Sequence, residues 1–121
     1  MYLILNGELK PFSKNEIRTI ANIARYHRKA FPSKSHKEFA SLPKRLRRTV
    51  KVGAALLRIA DGLDRTNCSV VEDVTCRVRP KEVQVLVHSR GDAELELWSA
   101  RARSKLFRRI FDKEIAFQCT Q

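Results

Sequence analysis

Residues 43–65 have the sequence PKRLRRTVKVGAALLRIADGLDR, which predicts the longest helix of the chain. Pro43 suits the first turn of a helix, and within the stretch that follows only Gly53 and Gly62 disfavour helix formation. With about 100° between successive residues, one face is apolar and is expected to pack in the core. That face carries Leu46, Val50, Gly53, Leu57 and Ala60, widened by Val52, Leu56, Ile59 and Leu63.

A second face of this helix is basic. A row of cations falls within about 60° of arc and extends for about 30 Å, at a rise of roughly 1.5 Å per residue. The row consists of Lys44, Arg47, Lys51, Arg58 and Arg65. Such a row suits an extended anion, although a charged face can also serve solubility alone.

Positive charge is concentrated in the first half of the chain. Residues 1–69 hold 15 Lys and Arg against 5 acids, a net +10, and residues 70–121 hold 10 against 8, a net +2, which accounts for the total of +12. Within residues 25–51 there are ten Lys and Arg and a single acid, Glu38. A field of one sign attracts polyanions, so the sequence favours a polyanionic ligand for this segment.

The segment upstream of the long helix predicts further helices. Ser13 and Glu16 form a capping box, and apolar residues at helical spacing extend the helix to about residue 29, before Pro32. Residues 30–42 form a basic connection with one helical turn near 36–40. Tyr2–Leu5 followed by Asn6-Gly7 indicates a helix end, so the chain is expected to begin inside a helix.

After residue 67 the apolar period changes from helical to alternating, which predicts a hairpin, a covering helix and a closing strand. The helix is capped by Asp92 and extends to about Arg109, with an apolar side at Leu95, Trp98, Ala102, Leu106 and Ile110. The fold class is therefore α+β, with a helical part at 1–68 followed by a small ββαβ domain at 69–121. The inward strand positions are Val74, Cys76 and Val78, then Val83, Val85 and Val87, then Ile115, Phe117 and Cys119.

Asp61 and Asp64 are the one pair of carboxylates that could act in catalysis or bind a metal ion. Asp64 is expected to be partly buried, and both acids are expected to pair with Arg58 and Arg65 one turn away. A metal or general-base role needs further ligands, and His27 and His36 are too few to complete a site. We therefore predict no catalytic residue, no metal site and no cofactor in this chain.

The second helix ends in a dense basic cluster, Arg25, His27, Arg28 and Lys29. Cations at a helix C-terminus stabilise its dipole, but this cluster exceeds what capping requires, and charge-assisted hydrogen bonds would hold an anion there. Single-stranded nucleic acid would need aromatic platforms among the cations. Only Tyr26, Phe31 and Phe39 supply them, which makes nucleic acid the weaker alternative.

Several classes of protein are not favoured. There is no Gly-rich phosphate loop, no GxSxG, no HExxH and no zinc-finger spacing. The start lacks the features of a signal peptide and no apolar stretch suits a membrane span, so a cytoplasmic protein without membrane contact is expected. Three cysteines, Cys68, Cys76 and Cys119, are expected to be reduced thiols.

Two long motifs, IANIARYHRKAFP at 20–32 and LLRIADGLDR at 56–65, together with SHKEF at 35–39, resemble the C-terminal region of the exopolyphosphatase and guanosine-pentaphosphate phosphohydrolase (Ppx/GppA) family. YLILNGEL at 2–9 and LELW at 95–98 fit as well, so the resemblance covers nearly the whole chain.

The resemblance implies a partial HD-like helical domain at 1–68, lacking its first helices, followed by the small α/β domain. In that family an actin-like pair of domains carries the phosphohydrolase site, and nothing here resembles it. Asp61 matches the final Asp of the HD pattern and would be a relic ligand without partners. The region is implied to guide polyphosphate and to contribute to dimerisation.

The sequence therefore predicts a polyphosphate-binding or polyanion-binding assembly module, the C-terminal piece of a hydrolase of this family, inactive by itself. Its expected partners are a phosphorylated polyanion and either a second copy or the missing N-terminal domains. The alternatives are a degenerate HD-type phosphohydrolase, with Asp61, Asp64 and His27 around a divalent metal, and a nucleic-acid-binding module. The predicted polyanion-binding residues are Arg25, His27, Arg28, Lys29, Lys44, Arg47, Arg48, Lys51 and Arg58.

Overall fold

The chain has a mixed α+β fold, with helices first and a three-stranded sheet after them, which confirms the predicted fold class. The computed structural model describes residues 12–28, 30–66 and 68–120; the predicted helix ending at Asn6-Gly7 lies outside them. None of the helices in these ranges is long and apolar enough to cross a membrane. The helices are α1 (Lys14–Tyr26), α2 (Lys37–Ala40), α3 (Lys44–Leu63), α4 (Glu94–Ala102) and α5 (Lys105–Phe111), and the strands are β1 (Val71–Val78), β2 (Glu82–Ser89) and β3 (Glu114–Thr120).

The chain divides into two compact units, one up to Leu57 and one from Arg58 onward. The division falls inside α3, and the domain boundary at 68/69 stays a prediction. Residues 58–63 group with the C-terminal unit because α3 approaches α4 closely there. A Cβ atom at Gly62 would lie 2.9 Å from the backbone N and Cα of Ala100, so only glycine fits.

The N-terminal unit is built on α1 and the first part of α3. The predicted capping box is present, since Ser13 Oγ accepts from Glu16 N at 3.2 Å and Glu16 Oε1 accepts from Ser13 N at 2.9 Å. These bonds to Ser13 lower the pKa of Glu16. The two helices meet at Gly53, where a Cβ atom would lie 2.7 Å from Ile23 Cδ1. The buried side chains include Ala21, Tyr26, Phe39, Leu42, Leu46 and Val50.

The buried side of α3 differs from the predicted one in its second half. Leu56 and Leu57 are 51% and 39% exposed, and Ala60 and Asp64 are also exposed, although the helical wheel placed Leu57, Ala60 and Asp64 on the core side. The buried residues there are Ala54, Ala55, Arg58, Ile59 and Gly62. A tertiary contact explains this difference. Because Gly62 has no side chain, α3 can approach the backbone of α4, and the side of α3 that carries Gly62 is therefore the buried one.

The sheet of the C-terminal unit has the order β1-β2-β3, with β1 and β2 antiparallel and β2 and β3 parallel. Its register places the predicted inward residues in three cross-strand rows, Val74–Val87–Cys119, Cys76–Val85–Phe117 and Val78–Val83–Ile115. Helices α4 and α5 contact β3, and Val85, Val87 and Phe117 are buried. The apolar residues of β1 are exposed, so the predicted cover does not extend to this strand.

The single helix predicted at 92–109 is two helices, which break at Arg103-Ser104. Ser104 is buried, its Oγ donates to Arg101 O at 2.7 Å and accepts from Arg108 at 2.9 Å, and these bonds compete with a continuous helix. The apolar side of α4 also differs from the prediction, since Leu95 and Trp98 are 61% and 65% exposed. The break changes which side is buried: the buried apolar residues there are Ala93, Leu97, Ala100, Leu106 and Phe107. The N-cap of α4 is Ala93 and not the predicted Asp92, because the helix begins at Glu94; Asp92 Oδ1 still accepts from Glu94 N at 3.0 Å.

Candidate polyanion-binding site

A small cavity in the N-terminal unit is lined, among the described residues, by cations alone. Its volume is about 180 Å³, and its lining residues are Lys34, Lys44, Arg47, Arg48 and Lys51. Four of them come from the first two turns of α3, where the spacing i, i+3, i+4 and i+7 places side chains on one side of a helix. Lys34 comes from the loop between α1 and α2. The cavity therefore unites four of the predicted polyanion-binding residues with one residue that was not predicted.

Local structure fixes both walls of this cavity. On the α3 side, Arg47 donates to Leu42 O at 2.7 Å and to Ala40 O at 3.5 Å, which ties its guanidinium to the end of α2. On the loop side, Ser33 Oγ accepts from Ser35 N at 3.2 Å, and the carbonyl of Ser33 accepts from His36 N at 3.0 Å. Lys34 stands at the tip of that turn. The cations are thus presented by ordered backbone on both sides.

The cations of the cavity repel one another and the helix that carries them. The N-terminus of a helix is the positive end of its dipole, and the first turn of α3 holds no acid. Lys44 and Arg48, and likewise Arg47 and Lys51, are like-charge pairs one turn apart. Within the described residues, Lys34, Lys44 and Lys51 form no ion pair. A bound anion would relieve this repulsion. Cations that serve only solubility would not need to lie so close together.

The aromatic residues near the basic segment belong to the core. Tyr26 is fully buried and Phe39 is 1% exposed, and their rings pack edge to face with centroids 5.8 Å apart. The Tyr26 hydroxyl hydrogen-bonds His36 Nδ1 at 2.5 Å, and the two rings stack. Neither ring is available as a stacking platform, which removes two of the three aromatics that the nucleic-acid alternative needed.

The burial of Tyr26 predicts a pH dependence. Burial raises the pKa of its hydroxyl, and the charge of Arg25 opposes that shift in part. Because the folded pKa lies above the unfolded one, the contribution of Tyr26 to stability is complete below about pH 10 and is lost as the pH rises through the folded pKa. At pH 7 the free energy of unfolding of wild type should exceed that of Tyr26→Phe by about 1 kcal/mol, because the variant lacks the hydroxyl hydrogen bond. Urea unfolding from pH 7 to 11 should show this difference shrinking; a difference that grows with pH would contradict the assignment.

A comparison with protein families bears on this site. The family model described as Ppx/GppA phosphatase, domain III, matches residues 1–98. The chain belongs to the Ppx/GppA phosphatase family. Among curated proteins, none matches the sequence. The matched range includes every residue of the cavity together with α1, α2, α3, β1 and β2, and it ends within α4. The cationic cavity is therefore a feature of the part of this chain that corresponds to domain III of Ppx/GppA phosphatases.

Arg25, His27 and Arg28, from the basic cluster at the end of α1, are not among the residues that line the cavity. The guanidinium of Arg25 stacks on the Tyr26 ring, 5.2 Å from its centroid. His27 Nδ1 hydrogen-bonds Ala24 O at 2.5 Å, and its Nε2 accepts from Arg28 Nε at 3.2 Å. These contacts use both ring nitrogens of His27 within the chain. Lys29 lies outside the described residues.

Arg58 differs from the other members of the predicted basic row, because it is only 7% exposed. Burial, and secondarily the charge of Arg103, lowers the pKa of Arg58. The row on α3 is therefore not a uniformly exposed cationic face: Lys44 is exposed, Arg47 and Lys51 are half-buried, and Arg58 is buried. The rotation of the buried side of α3 toward Gly62 explains this difference.

The two aspartates of the LLRIADGLDR motif do not pair as predicted. Asp61 forms an ion pair with Arg103, beyond α4, rather than with Arg58 or Arg65. Asp64 is exposed instead of partly buried. Among the residues that the structure describes, no three His, Cys, Asp or Glu side chains lie close enough to hold a metal ion. In this Ppx/GppA chain the carboxylate of Asp61 is thus engaged in holding two segments of the C-terminal unit together.

A larger cavity of about 720 Å³ lies in the C-terminal unit. It is lined by the acids Asp92, Glu94 and Glu96 and by the exposed Leu95 and Trp98, together with Thr66, Cys68 and Val70. Among the described residues no Lys or Arg lines this cavity, so its acids would repel phosphate. The smaller cavity is therefore the better candidate for a Ppx/GppA polyanion site, in spite of its size.

Lys34 is the one residue of the site that sequence reasoning missed. The helical spacing of Lys44, Arg47, Arg48 and Lys51 is visible in the sequence, whereas the proximity of Lys34 depends on the turn at 33–36. The motif Ser33-Lys34-Ser35 was the available signal, since serines before and after a residue favour a tight turn.

Proposed function

We propose that this chain is a polyphosphate-binding module of a Ppx/GppA phosphatase and that it does not hydrolyse phosphoanhydrides by itself. The observation that carries the proposal is the cavity whose described lining consists only of lysines and arginines. Phosphate oxygens accept hydrogen bonds from several such donors at once, and contacts between ionised partners are stronger than neutral ones.

The geometry supports a chain of phosphates rather than a single ion. From Lys44 to Lys51 the axis of α3 rises about 10 Å at roughly 1.5 Å per residue, so the cations face successive phosphates of an extended ligand. Lys34 and Arg47 flank the ligand from two sides, and binding displaces the small counterions that otherwise neutralise the cluster. Affinity should then rise with chain length and fall with salt.

The absence of hydrolysis is proposed from the surroundings of the best candidate for a metal ligand. Asp61 is paired with Arg103, Asp64 is exposed, and among the described residues no three His, Cys, Asp or Glu side chains gather to hold a metal ion. The hydrolytic site of the whole protein is then expected on other domains, and the role of this module is to hold the polymer. A second copy or those domains are its proposed protein partners.

A titration at two ionic strengths tests the proposal. Long-chain polyphosphate should bind the full chain at about 50 mM salt and lose at least about tenfold in affinity at about 200 mM, as expected when several ionic contacts form together. Orthophosphate is the matched control and should bind far more weakly. The same mixtures, supplied with Mg²⁺ or Mn²⁺, should release no orthophosphate.

Three outcomes would contradict this function: no binding of long-chain polyphosphate at low salt, equal affinity for orthophosphate, or phosphate release that Asp61→Asn abolishes. Competition with single-stranded RNA separates the nucleic-acid alternative. RNA binding that depends on Phe31, measured with Phe31→Ala, would favour that alternative, whereas polyphosphate binding should be indifferent to Phe31.

A further inference from the structure

The larger cavity, in the C-terminal unit, combines acids with an apolar wall. Its acids are Asp92, Glu94 and Glu96, and its apolar wall includes Leu95 and Trp98. The volume of about 720 Å³ lies within the usual range for small-molecule sites, roughly 300–1,000 Å³. In a chain whose net charge is +12, a cavity of this composition is the place where a cation would be attracted rather than repelled.

Glu96 is the residue of this cavity that points to a ligand. It is only 2% exposed. Within the described ranges its Oε2 has no hydrogen-bond partner, and the ion pairs found there, Arg90–Glu72 and Arg103–Asp61, do not include it. A buried carboxylate without a donor destabilises the fold. A cationic ligand that donates to Glu96 would remove this penalty.

The loop before β1 supplies a further part of the lining, Thr66, Cys68 and Val70. Arg90 fixes this loop, because its backbone N donates to Val70 O at 2.9 Å and its Nη2 donates to Cys68 O at 3.2 Å. Arg90 itself is not among the lining residues, and its guanidinium forms an ion pair with Glu72. The loop is thus held by ordered contacts whose positive charge is directed at another acid.

The placement of the acids favours separated positive charges over a metal ion. No three His, Cys, Asp or Glu side chains of the described residues lie close enough to hold a metal. Glu94 and Glu96 are two residues apart in α4, which separates them by about 200° around the helix axis at roughly 3.6 residues per turn. A ligand whose charges are spaced along an apolar chain suits this arrangement, and an aliphatic polyamine has this structure.

We propose that the cavity binds a linear aliphatic polyamine. One ammonium group donates to the buried carboxylate of Glu96, and a second lies near the exposed Asp92 and Glu94. The methylene chain contacts Leu95, and an ammonium group over the indole of Trp98, which is 65% exposed, gains a cation–π contact. The cationic cavity of the N-terminal unit takes no part, so this proposal does not rest on the proposed function.

The fluorescence of Trp98 tests binding directly, because Trp98 is the single tryptophan and lines the cavity. Spermidine titrated into the full chain at about 50 mM salt, where screening is weak, should give a saturable change in Trp98 emission. Magnesium chloride at equal ionic strength is the matched control and should give none, since the acids do not converge on one point. Isothermal titration measures the same affinity without the tryptophan signal.

Glu96→Gln tests the role of the buried carboxylate, because it removes the charge and keeps the shape. It should weaken spermidine binding by at least about tenfold, from the loss of a contact between two charged groups. Its urea midpoint without ligand should be no lower than that of wild type, since a buried charge is gone. Glu114→Gln, at an exposed acid of β3 outside the lining, is the matched control and should keep the affinity within about twofold.

Two further variants keep the test independent of whether Glu96→Gln folds. Glu94→Gln, at an exposed position, and Trp98→Leu, followed by isothermal titration, should each weaken spermidine binding by about threefold or more, through a lost ionic contact and a lost cation–π contact.

Four results would overturn the proposal: no saturable spermidine binding at low salt, an equal response to magnesium, equal losses in Glu96→Gln and Glu114→Gln, or binding of an arginine-rich peptide without binding of spermidine. The last of these would assign the cavity to a protein partner. These assays contain no polyphosphate, so their failure and the failure of the proposed function are distinguishable.

Discussion

Replacing Lys44 and Lys51 with glutamate is expected to weaken long-chain polyphosphate binding by at least about 100-fold at low salt. Each lost contact between a charged group and a phosphate is worth roughly 1.5 kcal/mol or more, and two of them amount to about two powers of ten. The introduced carboxylates add repulsion. Arg47 is a poorer choice for this test because its guanidinium also holds the carbonyls of Leu42 and Ala40. Isothermal titration with the full chain measures the effect.

The matched control is Lys81→Glu/Lys105→Glu, which lowers the net charge equally at two exposed lysines of the C-terminal unit. It should retain binding within about threefold, since charges remote from the contact act through a screened field. The Lys44→Glu/Lys51→Glu protein should be at least as stable as wild type, because a glutamate in the first turn of α3 complements the helix dipole. Equal losses in the two double variants would mean that net charge alone attracts the polymer, which would contradict a site at the cavity.

Gly62→Ala is expected to destabilise the C-terminal unit by about 3 kcal/mol, the upper end of the usual range for overpacking. The added methyl group would lie 2.9 Å from two backbone atoms of Ala100 and 3.0 Å from the carbonyl carbon of Ser99. Backbone cannot move aside as a side chain can, so α3 and α4 must separate. The loss should outweigh the gain of about 1 kcal/mol that alanine brings to a helix.

Gly53→Ala is the control for that result, because it makes the same change in the same helix. Its methyl group would meet the side chain of Ile23, with the closest approach at the terminal Cδ1, which can turn away. Trp98, the single tryptophan, lies in α4 and reports on the C-terminal unit. The urea midpoint from Trp98 fluorescence should fall markedly in Gly62→Ala and should not fall in Gly53→Ala. Equal shifts would show that the approach at Gly62 is not specifically tight.

Periodicity and capping signals were sufficient for much of this fold. The capping box at Ser13, the long helix after Pro43 and the alternating strands are local patterns, and each appears in the structure. The four cations of α3 in the cavity could be predicted for the same reason, since one helix positions them all. The α+β class followed from the order of these elements along the chain.

The predictions that were wrong concern residues whose environment periodicity does not determine. A helical wheel cannot show that Gly62 approaches the backbone of Ala100, and for this reason Arg58 was placed on the basic surface although it is buried. The bonds of Ser104 that divide α4 from α5 are local, to Arg101 and from Arg108, but the spacing of apolar residues does not reveal them. Lys34 enters the cavity through a turn, and its place could not follow from helical spacing.

The mixed sheet also constrains how the C-terminal unit can be synthesised and folded. Strands β1 and β2 are neighbours in sequence and can pair through a tight turn as soon as both have left the ribosome. The parallel partner of β2 is β3, which is made only after α4 and α5, so the inner edge of β2 stays open during that interval. Long-range pairing of this kind is slow, and an open apolar edge invites aggregation. Nascent chains of this protein should therefore depend on chaperones most between the emergence of β2 and that of β3.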